Sequence, residues 1–193
     1  MKRIHALYAS LLCLGLLLAA CGSVPPAPVD HDYRLRPVSI APAAPAWPGA
    51  IAVQPFRADS LYAERAIVYS DANDLRQLRQ YHYQLWLYPP AQMTQEHFTA
   101  SVGGVLDLSG GSTATHVLDA RVVAFERVLS GKTSKAVVAL ELRLLSEGKP
   151  LLNKIYRAEQ AAADESLSAF AAAMETALGG IYAEFLADLR RRR

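Results

Sequence analysis

A single α+β domain is what this sequence predicts: a mostly antiparallel sheet packed against helices, one of them a long amphipathic helix at the C-terminus. Three successive segments between residues 117 and 159 are strand-like, and in the clearest, Ala136, Val138, Leu140, Leu142 and Leu144 fall on one side with Glu141 and Arg143 on the other. Alternation of this kind marks antiparallel strands with one face on a core. After Asp164 the spacing changes, and Leu167, Phe170, Met174, Leu178, Ile181, Phe185 and Leu189 recur every three or four residues along one helical stripe. Residues 49–190 are enough for one core of ordinary size.

Residues 1–20 read as a signal peptide. Lys2 and Arg3 precede an apolar run from Ala6 to Leu18, followed by small residues. That run is shorter than the roughly 20 residues of a membrane-spanning helix. Leu18-Ala19-Ala20-Cys21 resembles the bacterial lipobox, which implies cleavage before Cys21 and acylation of its thiol. An ordinary secretory signal and a short transmembrane anchor are the alternatives. Two or more acyl chains hold a protein firmly on a bilayer without crossing it. Gly22 and Ser23 follow the cysteine instead of the aspartate that retains lipoproteins in the inner membrane of enteric-type bacteria, so the expected location is the periplasmic face of the outer membrane.

Residues 21–48 then form a proline-rich tether, with Pro25, Pro26, Pro28, Pro37, Pro42, Pro45 and Pro48, relieved by a short strand at Tyr33-Arg34-Leu35. Ile51 to Phe56 alternates, and Pro55 places it at an edge or a strand end. Ala66 to Ser70 is a second short strand. Gln80 to Tyr88 is a third, with Tyr81, Tyr83, Leu85 and Leu87 on one face and His82, Gln84, Trp86 and Tyr88 on the other. Pro89-Pro90 ends it and opens a helix through Met93, His97, Phe98 and Val102, stopped by Gly103-Gly104. Leu108 to Thr115 reads as a flexible loop. A three-strand meander follows: Val117 to Leu129, Lys135 to Leu145 and, after a turn at Glu147-Gly148-Lys149-Pro150, Leu151 to Glu159. Asp164 is placed to cap the final helix. Gly179-Gly180 interrupts its stripe, which implies a kink or the close approach of another strand. Residues 191–193 complete a run of arginines that begins at Arg190. Its simplest role is a favourable interaction with the helix C-terminus, and anionic lipid or an acidic partner is the sharper alternative.

The chemistry-bearing residues point away from catalysis. Two of the 20 basic residues, Lys2 and Arg3, belong to the leader, which leaves the processed chain with 18 against 18 acidic ones. Formal neutrality removes the electrostatic case for nucleic acid. Cys13 leaves with the leader and Cys21 is taken by lipid, so neither a disulfide nor a thiol site is expected in the processed chain. His82, His97 and His116 lack the short spacing of a zinc site, no G-x-S-x-G elbow occurs, and the glycine pairs lack the lysine of a phosphate loop. Asp71 with Asp74 and Asp164 with Glu165 read as turn and helix-start residues. No catalytic residue, metal ligand or cofactor is expected. Tyr81, Tyr83, Trp86 and Tyr88 put rings on both faces of one strand; packing accounts for one face, and the set is the candidate surface for a partner or lipid.

Ile67-Val68-Tyr69, then Leu78-Arg79-Gln80-Tyr81, then Trp86 and Pro89-Pro90 opening a helix, behind a lipobox, resemble the ABC-type transport auxiliary lipoprotein family. The likeness runs from Tyr33 to about Leu189 and departs at Leu87-Tyr88, where that family has small or polar residues. It implies a non-enzymatic accessory subunit of an intermembrane lipid transporter, partnering an MCE-domain protein and its permease and ATPase. It also implies assembly of several copies, a homo-oligomer. Two other classes stay open at this point: an envelope lipoprotein that regulates cell-wall synthesis, and a periplasmic carrier that holds a lipid itself.

Overall fold

The computed structural model describes residues 27–40, 47–111 and 114–192. The leader 1–20, Cys21 and Arg193 lie outside the described residues, as do two positions of the loop predicted at Leu108 to Thr115. In chain order the elements are β1 (His31–Tyr33), β2 (Ile51–Val53), β3 (Arg57–Ala58), a 3-10 turn (Ser60–Ala63), β4 (Ala66–Asp71), β5 (Asp74–Trp86), α1 (Pro90–Val102), β6 (His116–Ser130), β7 (Thr133–Ser146), β8 (Lys149–Ala161) and α2 (Leu167–Arg191).

The strands form one mixed sheet in the order β1-β5-β4-β6-β7-β8. Its longest ladders are the antiparallel meander β6–β7–β8, as the alternation predicts. Glu147 and Gly148, with φ of 51° and 77°, make the two-residue turn between β7 and β8. A turn with both central residues at positive φ matches the twist of a hairpin, and glycine adopts it freely. On the other side of β6 the pairing is parallel: β2, β3 and β4 follow one another along it. Residues 51–71 therefore act as one interrupted strand, broken at Pro55 and at the 3-10 turn.

Both helices cover the same face. Ala136, Val138, Leu140, Leu142 and Leu144 of β7 and Leu118, Ala120, Val122 and Phe125 of β6 are buried there, with the α2 stripe from Phe170 to Leu189. Pro89 stands at the N-cap of α1 and Gly103 at its C-cap, the predicted limits. α2 is capped by Ser166, whose Oγ accepts from the Ala169 amide at 3.0 Å, and not by Asp164, which accepts from the Ser166 amide at 2.7 Å. The cap lies two residues later than expected because Asp164 orders the turn that delivers Ser166.

The predicted tether is part of the folded body over much of its described length. β1 pairs in parallel with the end of β5, and residues 34–40 then cross the outside of the helix layer. The Arg36 amide donates to Glu175 Oε1 on α2 at 2.8 Å and the Val38 amide to Ser101 Oγ on α1 at 3.1 Å. Proline density signalled a spacer, yet an extended strap without sheet partners satisfies its amides through side chains and tolerates proline equally well. The strap also explains Gly179: a Cβ there would lie 3.0 Å from Val38 Cγ2. α2 stays continuous from Leu167 to Arg191, so the glycine serves close approach and not a kink.

Candidate functional site

β5 carries the aromatic set predicted as an interaction surface, and the structure divides that set. Trp86 is 0% exposed, with its ring centroid 5.3 Å from Phe125 and 5.6 Å from Phe170. Trp86 is core, which corrects its assignment to the surface. The reason is a bulge. Between the pairs Ala66↔Leu85 and Val68↔Gln80, β4 advances two residues while β5 takes five. An odd number of extra residues inverts the alternation within the strand, so Tyr81 and Trp86 both turn to the helices.

Tyr81 is half-buried framework. It stacks on Tyr69 at 4.4 Å, and its phenol oxygen accepts from Arg127 Nη1 at 3.2 Å. Arg127 is itself buried, donates from Nη2 to the Glu165 carbonyl and lies 5.9 Å over the Phe170 ring. Through it β5 is tied to the start of α2. Tyr83 and Tyr88 alone of the set are exposed, by 45% and 43%. Tyr88 and Leu87 border a cleft of about 270 Å³ whose walls include Arg34, Leu35, Met93 and Ala100.

The floor of that cleft holds a polar cluster that sequence reasoning did not assemble. His97 Nε2 donates to the Arg36 carbonyl at 2.9 Å; a carbonyl only accepts, so Nδ1 is the acceptor for the Tyr182 hydroxyl at 3.1 Å. Burial pushes the His97 imidazole down to about 4 and holds the Tyr182 phenol far above its ordinary value. This histidine therefore stays neutral and bridges the strap, α1 and α2. One sequence signal was present: His97 follows Met93 by one helical turn on the apolar side of α1. Its partners, Arg36 and Tyr182, are separated from it by 61 and 85 residues and left no local signature.

The sheet face away from the helices is a field of paired charges. Asp119 accepts from Arg57 at 2.9 Å and from Arg143 at 2.7 Å, and Arg121 bridges Asp59 at 2.8 Å and Glu141 at 2.9 Å. Glu126 lies nearer the centre, where burial raises its pKa; burial and then the Glu126 charge push Tyr62 up to about 12. At the far end of α2, Asp188 accepts from the Tyr156 hydroxyl at 2.8 Å and from Lys154 Nζ at 3.0 Å. Those hydrogen bonds, the lysine's first, hold its carboxyl below the ordinary range.

None of these groups forms a catalytic constellation. His82 is exposed, His97 is buried, and His116 packs edge-on to Trp47 at 5.5 Å with its nitrogens near Thr115 and Ser146. Among the described residues no three His, Cys, Asp or Glu side chains gather where they could hold a metal ion. No described helix is long and apolar enough to cross a membrane.

The fold has counterparts among solved structures. A crystal structure of a Xanthomonas campestris protein of the DUF330 family model superposes with a TM-score of 0.67, at 18% identity, covering 85% of this chain and 96% of that one. A crystal structure of an uncharacterized protein gives 0.68 at 15% identity, covering 84% and 99%. At such identities the likeness is one of fold. No family model matches the chain, and no curated protein matches it.

Proposed function

We propose that this chain is a non-catalytic accessory lipoprotein of an MCE-type lipid transport system, anchored through Cys21 to the periplasmic face of the outer membrane. The observation that carries the reading is where the family-like words fall. Ile67-Val68-Tyr69 lies in β4, Leu78-Arg79-Gln80-Tyr81 in β5, Trp86 closes β5, and Pro89-Pro90 opens α1. They belong to consecutive elements of one substructure, as fold-determining words should. Its partners in this reading are an MCE-domain protein and the attached permease and ATPase, and several copies of the chain act together.

The length of the leash supports an adaptor that works close to its membrane. Because β1 starts at His31, only Gly22 to Asp30 separate Cys21 from the folded body. These residues span about 30 Å when extended. A regulator reaching cell-wall enzymes at the opposite membrane needs a much longer one. A lipid carrier needs an interior cavity, whereas Trp86, Phe125, Phe170, Phe98 and Phe185 fill the space between sheet and helices. The test is cross-linking of a tagged, lipidated copy in intact cells. Recovery of an MCE-domain protein supports the adaptor; recovery of a penicillin-binding protein, or of lipid alone, overturns it.

A further inference from the structure

The two edges of the sheet are finished differently. On one side β1 covers Gln84 to Trp86, and the rest of β5 is broken by register shifts against β4. Bulges of this kind blunt an edge. On the other side β8 is the last strand, and from Leu152 to Ala161 it runs along β7 without a shift. One pair beyond Lys135↔Ala161, the Ala162 amide donates to the Ser134 carbonyl directly opposite it at 2.9 Å. Bonded and non-bonded pairs alternate in an antiparallel ladder, so Asn153, Ile155, Arg157, Glu159 and Ala161 point their amides and carbonyls away from β7. Among the described residues one bond reaches those outward groups, from Gln160 Nε2 to the Ala161 carbonyl at 3.5 Å.

Only the first half of this edge is guarded. Lys149 and Pro150 open it, and at Lys154 the flank of α2 stands beside it, where Lys154 Nζ meets Glu184 Oε1 at 2.7 Å and Asp188 Oδ2 at 3.0 Å. α2 begins elsewhere: Arg127 of β6 donates to the Glu165 carbonyl, two strands in from the edge. The helix therefore crosses the sheet obliquely and leaves Glu159 to Ala161 exposed. On the open face of the sheet Ile155 is 55% exposed. A regular, uncovered edge with an exposed isoleucine is a template for another strand.

We propose that the β8 edge from Ile155 to Ala161 docks a second copy of this chain, the two β8 strands running antiparallel about a two-fold axis through Ala158 to form one continuous sheet. The inference deepens the assembly of several copies put forward above and needs neither the anchor nor the transport partner. Charge and sterics choose the register. Axes at Arg157 or Glu159 set like charges face to face. Axes at Ile155 or Tyr156 drive the exposed Glu184 flanks of the two α2 helices against each other, and beyond Glu159 the strand runs out. The axis at Ala158 sets Arg157 of each copy opposite Glu159 of the other and Ile155 opposite Ala161. Every outward amide and carbonyl from Ile155 to Ala161 then meets one from the second copy, and a charged pair that lies 3.2 Å apart within one strand is doubled across the junction.

The test uses the full chain, expressed with its leader and purified in mild detergent. On the axis, Ala158 faces its twin in a non-hydrogen-bonded pair with Cα atoms about 4.5 Å apart, within reach of a disulfide. Mild oxidation should link Ala158→Cys into dimers on a non-reducing gel and leave Lys132→Cys, exposed on the β6–β7 turn, and the unsubstituted chain unlinked. Sedimentation should show self-association that Arg157→Glu weakens by more than about tenfold and that Arg157→Glu with Glu159→Arg restores, with circular dichroism unchanged throughout. An oligomer that does not link at position 158, or that ignores Arg157→Glu, overturns the proposal and leaves assembly of several copies standing. A chain that sediments as a monomer overturns both. A photo-reactive residue at position 158 that captures a different protein in intact cells, and never a second copy, gives this edge to that partner and overturns the proposal as well. The MCE-domain cross-link that tests the adaptor reading is independent of these outcomes.

Discussion

The two faces of the meander use the same backbone and are held by opposite physics. Toward the helices, β7 presents Ala136, Val138, Leu140, Leu142 and Leu144, β5 adds the ring of Trp86, and α2 brings the rings of Phe170 and Phe185. Away from them, alternate positions carry Arg143 opposite Asp119 and Glu141 opposite Arg121. Val137 and Ala139 on that second face are nonetheless buried, because Glu159 and Arg157 of β8 stand directly opposite them. Long charged side chains lay their methylene stems over small apolar neighbours while their heads stay in water. One face is stabilised by area removed from water, indifferent to salt, and the other by its own side chains and screened ion pairs. The contrast predicts how each responds to damage.

The largest effect belongs to the covered face. Phe170 touches Trp86 and sits under the Arg127 guanidinium at the start of α2. Phe170→Ala should cost about 3–5 kcal/mol, the range for emptying a packed aromatic site. Urea unfolding checks it, and a loss under about 1 kcal/mol would mean that the helix layer is not seated as described.

Next comes the strap across that layer, which has a pH signature. The His97 imidazole has its pKa near 4 in the fold against the usual 6.5. Below pH 6.5 the unfolded chain binds a proton that the folded chain refuses, so stability falls as pH drops from 6.5 to about 4 and levels off below. The full difference is about 3 kcal/mol. His97→Gln keeps a neutral hydrogen-bonding side chain and should flatten this part of the profile. Equal slopes for both proteins between those limits would remove His97 as the cause.

A smaller and more local effect separates two adjacent glycines of α2. A Cβ at Gly180 meets nothing within 4 Å, whereas at Gly179 it lies 3.0 Å from Val38 Cγ2. Gly180→Ala should therefore gain about 1 kcal/mol of helix propensity, and Gly179→Ala should lose part or all of that gain by pressing on the strap. Melting temperatures of the pair decide it, and equal stabilisation by both would show that Val38 does not hold the strap against α2.

What could be read from the sequence divides along similar lines. The meander, its hairpin turn, the α1 limits and the α2 stripe were legible because each is written in neighbouring residues: alternation, Gly148, Pro89-Pro90, and spacing by three or four. The orientation of Trp86 was not, because the bulge in β5 exists only relative to its partner β4, and an unbroken alternation offers no sign of extra residues. The strap was misread for the related reason that its partners, Ser101, Glu175 and His97, lie far along the chain. Of the candidate surface, Tyr83 and Tyr88 remain exposed, Tyr81 is tied down by Arg127, and Trp86 is interior.

The smallest expected effect lies on the open face, and there it is the salt dependence that sharpens the contrast. Arg143 reaches Asp119 with a side chain 46% exposed, and Asp119 keeps Arg57 when Arg143 is removed. An exposed pair whose carboxylate retains a second cation contributes only about 0.2–1 kcal/mol. Arg143→Ala should therefore destabilise by less than about 1 kcal/mol at low salt, and the loss should shrink as added salt shortens the Debye length toward about 3 Å at 1 M. Phe170→Ala should keep its full cost under the same conditions. If the Arg143→Ala loss instead stays constant with salt, that side chain acts by covering the sheet with its stem. The open face would then be a second apolar layer built from arginines instead of a field of ion pairs.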